Sequence, residues 1–138
     1  MESINREYVH KLIQEINETI SATIVATNKP YDRLSMIEKY AIRYHLIVIA
    51  EALIALALHI ARRMFNTRPE TPIHALQVLR DNQLLIGDEY RDVVNIVKLR
   101  NLLIHRYWTI DDEKIYNTVK KDFKNIRRFL KRISHVIR

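Results

Sequence analysis

Within nine residues, Arg100-Asn101-Leu102-Leu103-Ile104-His105-Arg106-Tyr107-Trp108 gathers a guanidinium, an amide, an imidazole, a phenol and an indole. Two of these groups suit work on a phosphate ester. A histidine, with an unperturbed pKa of about 6.5, gives or takes a proton at neutral pH. An arginine holds two phosphate oxygens through parallel N–H donors and stays charged throughout. At roughly 100° per residue, a helical stretch stacks Arg100 and Tyr107 two turns apart and puts Asn101, His105 and Trp108 on the adjoining face. Leu102, Leu103 and Ile104 then form an apolar side that faces a bundle. The alternative is a polar helix end whose aromatics simply pack.

Other chemistry is poorly served. Cysteine is absent, which excludes a disulfide framework, a thiolate metal site and a cysteine nucleophile. The histidines at 10, 45, 59, 74, 105 and 135 form neither a His-Glu-x-x-His pair nor a repeated Glu-x-x-His, so no metal and no cofactor are expected. Glu51 is unusual, because a carboxylate in so apolar a segment must find a partner or shift its pKa. It reads as a structural or interface group, and His45 and His59 as core or interface histidines.

The elements that carry these groups are helical. Glycine occurs once and proline three times in 138 residues, against 48% hydrophobic types, so the turns of hairpins and Gly-rich phosphate loops are nearly missing. Ile4, Tyr8, Leu12, Ile16, Ile20 and Ile24 mark a first amphipathic helix over about 3–27. A second runs from about Asp32, a candidate N-cap, to Phe65. Its centre, Leu46 to Ala61, is apolar all round but falls short of the roughly 20 residues of a membrane span and contains Glu51 and His59. A buried central helix is expected instead. Thr71-Pro72 starts a short helix to about Asn82. Asp88 caps a fourth helix that reaches the Tyr107 region, and Thr109, Asp111 and Asp112 offer caps for a last helix over about 112–135. The expected architecture is all-α: an antiparallel bundle of four long helices plus one short one, in a single domain over 1–138.

Charge is unevenly spread. Residues 114–138 hold nine basic side chains against Asp122 alone, while the rest of the chain carries the remaining 14 basic and 15 acidic ones. Lys120, Lys124, Arg127 and Lys131, with Lys121, Arg128 and Arg132 beside them, lie opposite the apolar stripe Ile115, Val119, Phe123, Ile126, Leu130, Ile133 and Ile137. Such a face suits a polyanion such as RNA, or is simply solvated. The first residues, MESINREYVHK, lack the basic cluster and apolar run of a signal peptide, which points to a cytoplasmic protein.

RNLLIHRYW resembles the signature of HEPN proteins, and its spacing of Arg, four residues, His, one residue, Tyr resembles the HepT toxin branch. The likeness extends over roughly 8–133, through YDRL at 31–34, IAEALIALALHIA, a proline before the short helix, and HRYWTID; Leu99 departs from the aromatic common in relatives. The resemblance implies a homodimeric, metal-independent ribonuclease toxin of a type VII-like pair, with a nucleotidyltransferase antitoxin of the MntA type as partner. It implies that Arg100 and His105 are catalytic, that Asn101 supports them, and that Tyr107 receives AMP from the antitoxin.

The chemistry agrees with that. Cleaving RNA without a metal needs a base for the 2′-hydroxyl proton, an acid for the leaving oxygen and a cation for the phosphorane charge. Each chain offers one suitable histidine, so a two-histidine mechanism needs a C2 homodimer. The basic last helix would guide the RNA backbone. Two other readings remain: a non-catalytic helical adaptor that binds a nucleotidyltransferase and its nucleotide, and a helical DNA-binding regulator, disfavoured by the lack of a compact helix-turn-helix.

Overall fold

The computed structural model describes residues 3–121 and 123–138, with the side chain of Tyr107 outside that description. Among the described residues six helices follow one another: α1 (Arg6–Ala26), α2 (Met36–Phe65), α3 (Pro72–Asp81), α4 (Asp88–His105), α5 (Asp112–Lys120) and α6 (Lys124–Val136). Two 3-10 turns, Tyr31–Arg33 and Tyr107–Thr109, complete the elements, and no strand occurs among the described residues.

α2 is the axis of the bundle, packing against α1, α3 and α4. Among the described residues it alone is long and apolar enough to cross a membrane, yet over half of its most apolar window is buried inside the protein. Ile49, Leu53, Leu56 and Ile60 are almost wholly buried and meet Ile16 and Ile20 of α1 in one core. Truncating any one of these leucines to alanine removes about 2–5 kcal/mol, through lost transfer energy and the cavity left behind. α2 is therefore covered on several sides by α1, α3 and α4, as expected, while one arc from Ile37 through Glu51 to Leu58 stays exposed or half-buried.

Local signals place most helix ends. Asn5 starts α1, its side chain accepting the Tyr8 N–H at 3.0 Å. Thr71 accepts the His74 N–H at 3.0 Å and Pro72 opens α3, as expected. Gly87 adopts φ +53 in the turn before α4, with no atom near where a Cβ would sit, so its conformational freedom and not its size is what the turn uses. Gly87, not Asp88, is the residue that precedes α4; Asp88 and Glu89 instead line the positive end of the helix.

Two boundaries differ from expectation. α2 begins after Ser35, not Asp32, because Ser35 and Glu38 form a reciprocal box: the Glu38 N–H donates to Ser35 Oγ and the Ser35 N–H to Glu38 Oε1, both at 3.1 Å. Asp32 has serine three residues on and cannot be reciprocated in this way. The last helix is not continuous either, so the bundle has six helices and not five. α5 ends at Lys120, and Phe123 leads into α6. The two pieces have separate anchors. Asp112 of α5 accepts two bonds from Arg43 of α2, at 2.7 and 2.8 Å, and the Tyr116 hydroxyl donates to the Lys29 carbonyl. α6 is held to α4 by Asn125 donating to Asp92 at 2.8 Å and by Arg132 bound to Glu89. A break lets each piece satisfy its own anchors. The apolar stripe still runs through both, with Ile115, Val119, Phe123, Ile126, Leu130, Ile133 and Ile137 all buried.

Candidate active site

α4 positions the site. Glu89, Val93, Ile96, Val97 and Leu103 are its buried residues, at steps of three and four that define the face turned toward α2, α3 and α6. Position 100 falls on that same stripe, between Val97 and Leu103, where an apolar side chain would ordinarily sit. The guanidinium of Arg100 instead reaches α2, where its Nε donates to Glu51 Oε1 at 2.5 Å. Arg100 Nη1 donates to Asn101 Oδ1 at 2.9 Å. Two polar interruptions of apolar faces, 49 positions apart, thus account for each other.

The pair is not sealed. Arg100 retains 26% of its side-chain exposure and Glu51 49%. A guanidinium has five N–H donors, and two of those in Arg100 are used. The other three remain for an oxyanion, with the plane of the fork set by Glu51 and Asn101. Asn101 is exposed, and since its oxygen accepts from Arg100, its NH₂ stays available as a donor.

His105 is the last residue of α4 and is exposed. It lies four residues from Asn101, on the same side of the helix, but roughly 140° around the axis from Arg100. One chain therefore brings Arg100, Asn101 and Glu51 together and leaves His105 one turn beyond, facing outward. Glu51 is the member that sequence reasoning did not assign. A carboxylate in an apolar helix and an arginine on an apolar stripe were the available signals.

The helix stops earlier than expected. Arg106 leaves it with φ −139 and ψ 44, its N–H bonding to the Leu102 carbonyl at 2.8 Å. The Arg106 carbonyl then accepts both the N–H and the hydroxyl of Thr109, at 2.9 and 2.8 Å, which fixes the turn. Tyr107 and Trp108 consequently lie in a 3-10 turn and not on the α4 face, so they do not continue the Arg100 and Asn101 rows. Ile110, β-branched and extended, carries the chain away toward Asp111, whose side chain caps α5 by accepting from the Lys114 N–H at 3.1 Å. The expected role of the Tyr107 side chain lies outside the described residues; Trp108 is 70% exposed. Of the three adjacent apolar residues, Leu103 is buried, but Leu102 and Ile104 are 43% and 40% exposed. They do not serve the core as expected.

The basic face is mixed. Lys120, Lys124 and Lys131 are exposed. Arg127 is half-buried and donates from Nη2 to Ser21 Oγ of α1 at 3.1 Å, while its Nε is buried without a partner. Arg132 is committed to Glu89, whose carboxylate sharpens its preference for the charged form. Asn125 meets Asp92 and Arg132 meets Glu89, so α6 runs antiparallel to α4 with Lys124 nearer than Lys131 to the Arg100 end. Among the described residues no group of three or more His, Asp or Glu side chains could hold a metal ion.

The family model described as ribonuclease HepT-like matches residues 9–133. No curated protein matches the chain. Among solved structures, a cytosolic protein from Bacillus subtilis, YutE, superposes with a TM-score of 0.85 at 16% identity, covering 99% of this chain and 93% of its own. A tri-AMPylated HEPN toxin from Shewanella oneidensis, solved in complex with its MNT antitoxin, superposes at 0.84 and 19% identity, covering 93% of this chain and 97% of its own. A toxin–antitoxin complex solved with AMP-PNP gives 0.85 at 18% identity, covering 94% and 98%. These likenesses establish a shared fold.

Proposed function

The chain belongs to the HepT-like ribonuclease family, and on that premise we propose that residues 1–138 form a cytoplasmic, metal-independent endoribonuclease toxin. It acts as a homodimer and is silenced when a nucleotidyltransferase antitoxin transfers AMP to Tyr107. The observation that carries this reading is the oriented Arg100 fork, with three N–H donors left over, beside Asn101 and one turn from the exposed His105.

One imidazole takes the proton of a ribose 2′-hydroxyl as that oxygen attacks the adjacent phosphorus. The O2′–P bond forms, the P–O5′ bond breaks, and a second imidazole delivers a proton to the leaving O5′. The products are a 2′,3′-cyclic phosphate and a 5′-hydroxyl. Arg100 holds the non-bridging oxygens, whose charge grows in the transition state. His105 and its copy in a second chain supply the two imidazoles.

An unpartnered face supports that dimer. Ile37, Tyr40 and Tyr44 are exposed and Ile47, Val48, Ala55 and Leu58 half-buried along one arc of α2 that includes Glu51. Leu102 and Ile104 of α4 extend it with exposed apolar surface on the helix that carries the motif. Burying this face against a symmetric copy would bring two Arg100–His105 sets to one cleft.

Tyr107 follows His105 by two residues, in the turn tied down by Thr109. Its phenolic oxygen would attack the α-phosphorus of ATP, forming the O–P bond as pyrophosphate leaves. The phosphodiester so formed adds negative charge and the nucleoside adds bulk next to His105, which excludes the RNA. The AMPylated state of the Shewanella oneidensis relative supports this.

The test is cleavage of RNA by purified protein in chelator. His105→Ala should lose roughly 10²–10⁴-fold in rate with circular dichroism unchanged, and product ends should be cyclic phosphates. Tyr107→Phe should cleave but gain no AMP by intact mass. Full activity of His105→Ala overturns the assignment, and dependence on added metal overturns the mechanism. A chain that binds the nucleotidyltransferase but never cleaves would instead be an adaptor.

A further inference from the structure

A second site is built where α1 begins and α2 ends. Tyr8, Ala55, Leu58, His59, Arg62, Arg63, Asn66, Thr67 and Arg68 line an open cleft of about 600 Å³, within the range of small-ligand sites. Three of the nine lining residues are arginines and none is acidic. Arg62 and Arg68 are exposed, and neither is paired with a carboxylate among the described residues. The negative end of α2 does not account for this charge. That end amounts to roughly half an elementary charge, and the positive end of the antiparallel α1 lies beside it and offsets it. Two guanidinium charges in the cleft, those of Arg62 and Arg68, thus have no carboxylate partner among the described residues.

The lining is also aromatic. The Tyr8 and His59 rings meet edge to face, with centroids 5.1 Å apart and planes at 69°. His59 Nε2 accepts the Asn5 N–H at 3.1 Å, which assigns the proton of a neutral ring to Nδ1. Burial and the neighbouring Arg63 both disfavour the charged form of His59. The cleft therefore offers cations together with uncharged ring surface, the pairing that a phosphate with an attached base requires.

We propose that this cleft is a second nucleoside-phosphate site, in which Arg62 and Arg68 hold phosphate oxygens and Tyr8 with His59 receives the base. Its placement adds a direction. Glu51, Ala55, Leu58 and Arg62 fall on one arc of α2, so Arg62 lies about 16 Å along the helix from the carboxylate that holds Arg100. That arc is the one assigned above to the second chain, so the cleft lies at the far end of the dimer seam, and a single-stranded RNA with its scissile phosphate at Arg100 would reach it along the edge of that seam. The RNA as source rests on the nuclease reading above; the cleft as a nucleoside-phosphate site does not.

The experiment measures binding, not cleavage, using the His105→Ala dimer and a fluorescein-labelled single-stranded oligoribonucleotide, with AMP and ATP as separate probes. Adding Arg62→Gln and Arg68→Gln together should raise the oligoribonucleotide Kd roughly ten-fold and lower its log–log salt slope by about 1.4, two phosphate contacts on a single strand. Tyr8→Leu should weaken the same binding without changing the salt slope. If AMP or ATP binds one per chain, and the double variant loses that binding, the source is a free nucleotide. If only the oligoribonucleotide responds, the source is RNA. Unchanged affinity for all three probes in a double variant that melts like its parent overturns the site. That result would leave the nuclease reading standing, and a chain that never cleaves RNA would leave this one standing.

Discussion

α4 carries the same chemical pair at both of its ends, with opposite consequences. At the first turn Glu89 is 1% exposed and bound through both oxygens by Arg132 of α6, and it also accepts the Ile86 N–H at 3.3 Å. Arg132 spends a further donor on the Leu84 carbonyl, at 3.2 Å. At the last turns Arg100 meets Glu51 of α2, where the carboxylate is half exposed and three guanidinium donors stay unused. The first pair buries its carboxylate, which accepts on both oxygens, and welds α4 to α6. The second orients a cation and leaves it open to a ligand. An arginine–glutamate pair therefore has no fixed meaning in this bundle; the solvent access of the carboxylate separates a joint from a site.

That contrast can be broken most forcefully at Glu89. Glu89→Ala leaves Arg132 without its partner in a mostly buried place, and unfolding in urea should show a loss of about 3 kcal/mol, held at the low end because Arg132 keeps some contact with water. Cleavage per folded molecule should stay near that of the parent. A loss smaller than that of Glu51→Ala would invert the comparison.

At the other end the expected split is reversed. Glu51→Gln should change stability by less than about 1 kcal/mol, since the pair is half in solvent. It should lower kcat by about ten-fold while KM changes little, because a misaimed guanidinium weakens an interaction that strengthens in the transition state. Retained kcat with reduced stability would make Glu51 a joint like Glu89. Asn101→Ala, which removes the second brace on Arg100, should act in the same direction but more weakly.

The smallest effect concerns the lysines that neither pair engages. Replacing Lys120 and Lys124 with Gln should weaken RNA binding and flatten its salt dependence more than Lys131→Gln does. The antiparallel run of α6 places Lys124 nearer the open end of α4 and Lys131 nearer the sealed end, and Lys120 precedes α6 on the Lys124 side. Equal effects from all three would mean that the RNA does not distinguish the two ends.

What could be read from the chain alone was whatever is encoded within a few residues. The three- and four-residue steps of Ile115 to Ile137 fix a buried face whether or not the helix is broken beneath it, because burial tolerates a local turn that keeps the stripe in line. Thr71-Pro72 and Asp111 declare helix starts through bonds that span three positions. The motif spelled by Arg100, Asn101, His105 and Tyr107 carried the family, since its spacing is itself a sequence property. Tertiary structure decided the rest. α4 stops at His105 in the turn closed by Arg106 and Thr109, α5 beyond it is held by Arg43 of α2, and residues 112–135 form two helices with separate anchors on α1, α2 and α4. Above all, the partner of Glu51 lies 49 residues away. No local pattern can specify that contact, because it exists only when the half-exposed arc of α2 is laid beside the one position of α4 where an arginine interrupts the core stripe.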